Sequence, residues 1–296
     1  MFIIYALLAA VCYAMQNNMM TFYYRRTPAL DASTHRGLIL GLSGLPLIFL
    51  TPVEQRLPSS EVFLYMLIAC ICGAIGNMYY IKAIALGSVG IAAATVRSIS
   101  TIGTISIGLI FLDEHLAREE LLLVAAVIFF VIRIGRAQNY RQNFEHPPGA
   151  RFAVSLASNY ASRTGVLYAV MFVFLAIASR SAHPFVIAYM LELGVGLCGL
   201  FFLLLRHLIT GREFIRRISP KDIFRVMIYS SPTLLGTPLS NFSLKLGNAG
   251  IATAVLSSNI AFNCLLAWFI HKEKLTTMQV IYIICLMLSI AMLHTI

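Results

Sequence analysis

Apolar residues fall in long blocks along this chain, separated by short polar or turn-forming breaks. Crossing about 30 Å of hydrocarbon at 1.5 Å per residue takes roughly 20 residues. Runs of about that length lie near residues 2–24, 33–51, 61–86, 88–112, 119–135, 163–179, 184–207, 222–246, 249–270 and 276–294. They are too long for barrel strands and do not alternate apolar with polar, which predicts about ten transmembrane helices. The breaks at Gly87–Gly90 and Gly247–Gly250 read as tight turns, and residues 138–162 read as the one long hydrophilic connection. The first run has no basic residue ahead of it and Arg25 and Arg26 behind it, so it reads as a retained span rather than a cleaved signal.

Composition changes this picture little. Of 296 residues, 59% are hydrophobic and 11% charged, and the mean hydropathy is +0.83. A soluble globule of that makeup would leave most of its Leu, Ile and Phe in water, which excludes one. The net charge of +10 does not indicate nucleic acid, because the basic residues sit in clusters between apolar runs. Those clusters orient the chain instead. Loops on the side of the termini hold Arg56, Arg118, Arg180 and Lys245, whereas about 17 of the 22 basic residues lie toward the other face. The termini are therefore expected on the extracytoplasmic side of the cell membrane, with the 138–162 connection cytoplasmic. The six cysteines all fall within apolar stretches without metal-ligand spacing, and read as small fillers.

The chain also repeats itself. Gly87-Ser-Val-Gly90-Ile-Ala-Ala-Ala94 aligns with Gly247-Asn-Ala-Gly250-Ile-Ala-Thr-Ala254, an offset of 160. Glu114-His-Leu116 matches Glu273-Lys-Leu275 with a one-residue slip, and Leu8–Tyr13 loosely matches Leu167–Phe172. Two halves of five spans follow: residues 1–137, the connection 138–162, and residues 163–296. Five is odd, so the second half must enter the membrane inverted. The stretch Asp113–Glu120 is net acidic and its counterpart His271–Lys274 net basic, as equivalent loops on opposite faces should be. The expected fold is all-α and integral to the membrane, ten transmembrane helices arranged as two inverted five-helix repeats, with a solute site near the midplane.

Ala83-Ile-Ala-Leu-Gly-Ser-Val-Gly90, the small-residue span after it and the closing Glu114-His-Leu116 resemble the EamA-type drug/metabolite transporter superfamily, and Leu246–Gly250 to Glu273-Lys-Leu275 repeats the resemblance. The likeness covers nearly all of the chain. It implies a ten-helix bundle that moves small metabolites by alternating access without ATP hydrolysis. One departure is Tyr13-Ala-Met-Gln16-Asn17-Asn18 in the first span, where many members carry an aromatic-Gly turn.

Polar groups facing lipid are costly, so polar stripes on spans should point into the bundle. Arg97 begins one, followed on the same helical face by Ser100, Thr101, Thr104 and Gly108. The third span offers Gly73, Asn77 and Tyr80 on one face, and the first offers Tyr13, Gln16, Asn17 and Met20. Pro232, Gly236 and Pro238 interrupt the eighth span, as Gly73 and Gly76 interrupt its repeat-mate, either to face a ligand or to bend a helix. Arg97 and Glu192 each lie roughly 12 Å below a membrane surface, from opposite sides, so they suit either a structural pair or a substrate-binding couple. Asn259 and Asn263 suit either a cavity wall or an interhelix bond. Lys82 and Lys245 at span ends read as snorkelling to the interface, and His35 and Arg36 as interfacial anchors or a gate. Glu119 and Glu120 complement a helix dipole.

No nucleotide-binding loop, His-Glu-x-x-His or Gly-x-Ser-x-Gly is present, so no enzyme, metal or cofactor is expected. The expected function is secondary transport of a small polar metabolite, an amino acid or related solute. Its substrate-binding residues would be Arg97, Asn77, Tyr80, Asn17, Asn259 and Thr101, with Glu192 for charge balance or coupling. The expected partners are that solute and membrane lipids, with monomer and homodimer both open. A flippase-like carrier of a lipid-linked or amphipathic substrate and a non-transporting scaffold or receptor stand as alternatives.

Overall fold

A computed structural model describes residues 1–296 apart from 88, 113, 146–149, 212, 272–274 and 296. Among the described residues every regular element is helical. In chain order these are α1 (Phe2–Tyr24), α2 (Ala29–Ser43), α3 (Pro46–Phe49), a 3₁₀ turn (Val53–Gln55), α4 (Ser60–Leu86), α5 (Val89–Phe111), α6 (Arg118–Glu145), α7 (Ala150–Ser181), α8 (Pro184–Thr210), α9 (Pro220–Leu246), α10 (Ala249–Leu256), α11 (Asn259–His271) and α12 (Thr277–Thr295).

Local chemistry sets most of the ends. Ser59 and Ser219 cap α4 and α9 through their hydroxyls, and Asn248 accepts from the Gly250 and Ile251 amides at the start of α10. Pro184 and Pro220 occupy the first turns of α8 and α9, where their missing N–H costs nothing. Gly211 closes α8 with φ of 65°, a left-handed position that suits glycine.

Seven described helices are long and apolar enough to cross a membrane, within 2–24, 60–86, 92–111, 155–181, 184–210, 249–270 and 277–295. The chain is a multi-pass membrane protein. The remaining crossings expected from the sequence correspond to α2, α6 and α9, which carry more polar groups. α2 is 15 residues long and buries Asp31, His35 and Arg36. α9 contains Pro232 and Pro238 and buries Ser230, Thr233, Thr237, Ser240 and Asn241.

Three boundaries differ from the sequence reading. The span read as 33–51 starts at Ala29 and stops at Ser43, because Gly44 and Pro46 interrupt it before the short α3. The stretch 138–162 is helical over most of its length, in α6 to Glu145 and in α7 from Ala150. Its Ala, Arg, Gln and Ser are polar or small yet tolerate helix, so polarity alone does not make the stretch a loop. The span read as 249–270 breaks at Ser257 and Ser258, between α10 and α11.

Helix packing then sets the frame. α1 lies along α9, α4 along α7, α5 along α7, α2 along α8 and α6 along α12, while α11 leans on α1. Fully buried Ala6, Ala9, Ala10 and Ala14 let neighbours approach α1 closely. Leu122, Phe129, Phe201, Leu208 and Phe269 point outward, the face that lipid covers. The α2–α8 crossing is the tightest backbone approach. A Cβ built on Gly37 would lie 2.6 Å from the Gly196 nitrogen, and one built on Gly196 would lie 2.5 Å from the Leu38 nitrogen.

Candidate functional site

Residues of α1, α2, α4, α5, α7, α8, α9 and α11 line a cavity of about 90 Å³. At about 10–15 Å³ per water it holds several waters or a small solute. Its walls follow from helical spacing. Gly73, Asn77 and Tyr80 recur at i, i+4 and i+7 on α4, and Tyr13, Gln16 and Asn17 at i, i+3 and i+4 on α1. α7 presents Tyr168, Phe172 and Leu175, and α9 presents Thr237, Ser240 and Asn241 beside Pro238. Asn259, the first residue of α11, reaches the wall at the break in the ninth crossing.

The charges divide unequally. Glu192 on α8 pairs with Arg36 on α2 at 3.3 Å and accepts a 2.8 Å hydrogen bond from the Thr237 hydroxyl. Arg36 also reaches the Gln16 side-chain carbonyl at 3.5 Å, and that oxygen accepts from Thr233. Gln16 donates in turn to the Tyr24 hydroxyl at 3.2 Å. Arg97 on α5 has a different environment. Its guanidinium lies 5.5 Å from the Tyr13 ring centroid and 5.6 Å from that of Phe172. Among the described residues no carboxylate is within ion-pair distance of it, and its Nη1 has no hydrogen-bond partner. It is 8% exposed, as is Arg36, and Glu192 is 7% exposed.

Arg97, Asn77, Tyr80, Asn17, Asn259 and Glu192 all line the cavity. Thr101 does not. Its hydroxyl lies 2.8 Å from that of Ser257 and donates to the Thr253 carbonyl at 3.3 Å, which spends it on the junction of α5 with α10. Asn263 serves the interhelix bond, its side-chain carbonyl accepting from Asn18 at 3.0 Å. Tyr168 donates to the Asn77 side-chain carbonyl. The side-chain carbonyls of Asn241 and Asn259 have no partner, so with Arg97 they leave polar atoms unspent around the cavity.

Arg36 was read as an interfacial anchor or a gate residue, and it sits buried in the bundle at the cavity wall. The one-turn-earlier start of α2 carries it inward, and Asp31, just ahead, is fixed by Arg206 at 3.2 Å and the Arg216 amide at 2.8 Å. Tyr24, Tyr168, Thr237 and Ser240 were also missed. For Tyr24 a signal was available, since Tyr13, Asn17 and Tyr24 fall at i, i+4 and i+11, one helical face.

At the end of the bundle nearest Phe2, polar contacts tie several helices together. Glu114 pairs with Arg180 and accepts from the Ala249 amide at 2.9 Å, while Arg180 donates to the Gly247 carbonyl at 3.4 Å. Gly247 lies against Phe2. Lys245 donates to the Ala182 carbonyl at 3.1 Å, and Asn241 to that of Pro184 at 3.3 Å. His183 precedes α8, where Nδ1 accepts from the Phe185 amide and lies 3.4 Å from the Thr51 hydroxyl. Partial burial, then the nearby Lys245 ammonium, holds its imidazole below the ordinary value. At the opposite end Lys82 sits over the Tyr79 and Tyr160 rings. Glu273, which closes the second copy of the sequence motif, lies outside the described residues.

The model of the EamA-like transporter family matches residues 1–136 and again 160–295. A solved structure, described only as a crystal structure of a protein, superposes with a TM-score of 0.69 over 97% of this chain and 95% of its own. At 13% identity it shares the fold alone. No curated protein matches the sequence.

Proposed function

The chain belongs to the EamA-like transporter family, and on that premise we propose that it is a secondary transporter of a small polar organic solute, an amino acid or a related metabolite, working by alternating access. The observation that carries this reading is the cavity: set within the bundle, lined by polar side chains, with the Arg97 Nη1 and the side-chain carbonyls of Asn241 and Asn259 left without hydrogen-bond partners. Asn17, Asn77, Tyr80 and Asn259 would hydrogen-bond the solute, and Arg97 would attract an anionic group on it. Glu192 would serve charge balance, toward Arg36.

Two inverted halves fit the packing. An exchange of α1 with α7 and of α4 with α9 turns the α1–α9 contact into α7–α4, and both contacts are present. The α2–α8 and α6–α12 contacts each map onto themselves. The double match to one family model at 1–136 and 160–295 supports the same division into 1–137 and 163–296. A scaffold needs no polar cavity and is served best by Arg97 and Glu192 paired in a dry core. Here the two are not paired and a cavity reaches both.

Counterflow into proteoliposomes preloaded with mixed amino acids, organic anions or cationic metabolites tests the proposal. Exchange with at least one pool is expected, reduced by about tenfold or more in Arg97→Gln, the scale of one lost charge-assisted contact. A folded protein that exchanges none of the pools overturns it.

A further inference from the structure

We infer that the transported solute carries one net negative charge, as a monocarboxylate or an amino acid whose nitrogen is acylated does. This rests on the transport reading above and narrows its solute class.

Charge balance along the cavity wall selects the solute. Three ionisable side chains of fixed sign line the cavity: Arg36, Arg97 and Glu192. Arg36 and Glu192 neutralise each other at 3.3 Å, and Thr237 takes a further lone pair of Glu192. Arg97 is left over. It is more than nine-tenths buried, its Nη1 is unpartnered, and what holds it is the faces of Tyr13 and Phe172 rather than a counter-charge. Ring faces attract a cation but do not cancel its charge. A buried site with one uncompensated positive charge selects a ligand that supplies one negative charge.

The same inventory disfavours the other charge classes. A free ammonium on the solute needs an anionic partner, and Glu192, the only carboxylate among the lining residues, is engaged twice. A dianion brings a second charge for which the described lining residues offer no cation besides the paired Arg36. A neutral amide leaves the guanidinium uncompensated. The neutral donors and acceptors nearby, Asn77, Tyr80 and Asn259, suit the uncharged polar part of a monoanion. Tyr13, Phe172 and Leu175 suit its apolar part.

The full-length protein in proteoliposomes is tested by counterflow against four separate pools at pH 7: neutral amides, zwitterionic amino acids, monocarboxylates with N-acetyl amino acids, and dicarboxylates. Exchange with the monoanion pool is expected to exceed each other pool by about tenfold or more. Two variants then move the balance in opposite directions. Glu192→Gln releases Arg36 and should raise dicarboxylate exchange relative to monocarboxylate. Arg36→Gln leaves Glu192 and Arg97 as one unpaired charge of each sign along the wall and should favour the zwitterions. Thermal unfolding in detergent with each pool added gives the same ranking independently of turnover. Wild-type exchange led by neutral, zwitterionic or dianionic solutes overturns the charge assignment and leaves transport standing. A selectivity that neither variant moves overturns it as well. Failure to exchange or be stabilised by any pool removes the transport reading and this inference together.

Discussion

An arginine inside a membrane is held by a carboxylate or by the faces of aromatic rings, and the two cavity arginines divide these modes between them. The difference predicts opposite responses to mutation. Removing the Glu192 charge strands Arg36 and should lower stability by about 3 kcal/mol, whereas replacing both partners by apolar residues, Arg36→Met with Glu192→Leu, should recover most of it. Denaturant titration of the three proteins in mixed micelles measures this, and equal losses in the single and double variants would refute it. Arg97→Gln gives up ring contacts worth about 0.5–2 kcal/mol and relieves an uncompensated charge, so its stability should change little. Much of this was legible beforehand. Arg97 and Glu192 declared themselves as charges deep in apolar runs, and Asn17, Asn77, Tyr80 and Asn259 as polar positions on inward faces. The partner of Glu192 was not legible. Arg36 stood at the apparent edge of a span, and an error of four residues in a helix start displaces a side chain by about 6 Å in depth. Thr101 shows the reverse difficulty: a hydroxyl on the right face still spends its donor on the nearest free carbonyl, which here belongs to the broken ninth crossing.

Between helices, the α2–α8 crossing sets the register of the Arg36–Glu192 pair, because Gly37 adjoins one partner and Gly196 lies one turn from the other. Leucine at Gly196 would meet the Leu38 backbone and must part the two helices. Gly196→Leu is expected to cost about 3 kcal/mol or more and to weaken the pair, seen as a lower unfolding midpoint together with loss of the Glu192→Gln effect in the double variant. The helix start at His183 makes a second case. Only the neutral ring accepts the Phe185 amide, and the folded-state value lies below the ordinary 6.5. The cap is therefore complete above about pH 6.5 and is lost as pH falls through the lowered value. Hydrogen exchange at the first turn of α8 should accelerate on acidification in the wild type, and a His183→Asn cap should abolish that dependence. Element positions were largely readable from apolar runs and from Pro, Gly, Ser and Asn at the ends. The break at Ser257–Ser258 was not, because neither residue is an obligate helix breaker and their window is as apolar as a continuous span.

For the molecule as a whole, a multi-pass all-helical membrane protein was legible from the apolar runs, and two five-span halves are what the repeated motif and the span count lead one to expect, whereas the pairing of helices was not legible, since no local pattern says that α1 should lie along α9 or α4 along α7. Orientation rests on the lysine and arginine distribution. An enzyme reporter that is active only outside the cytoplasm, fused after residue 296, should be active, and silence would reverse the assignment of sides without touching the fold. The severed ninth crossing has a consequence at this scale. Its first piece, α10, is fastened to Glu114 at its first turn and to Thr101 at its last, while its second piece, α11, is fastened to α1 through Asn263 and Asn18. α1 packs along both pieces, but the hydrogen bonds that fasten them run to different helices. A displacement of α1 relative to α5 would load the two serines, where the α-helical ladder already gives way to tighter i→i−3 bonds, so bending there would cost a joint rather than a helix and would carry Asn259, which stands at the joint, along with it.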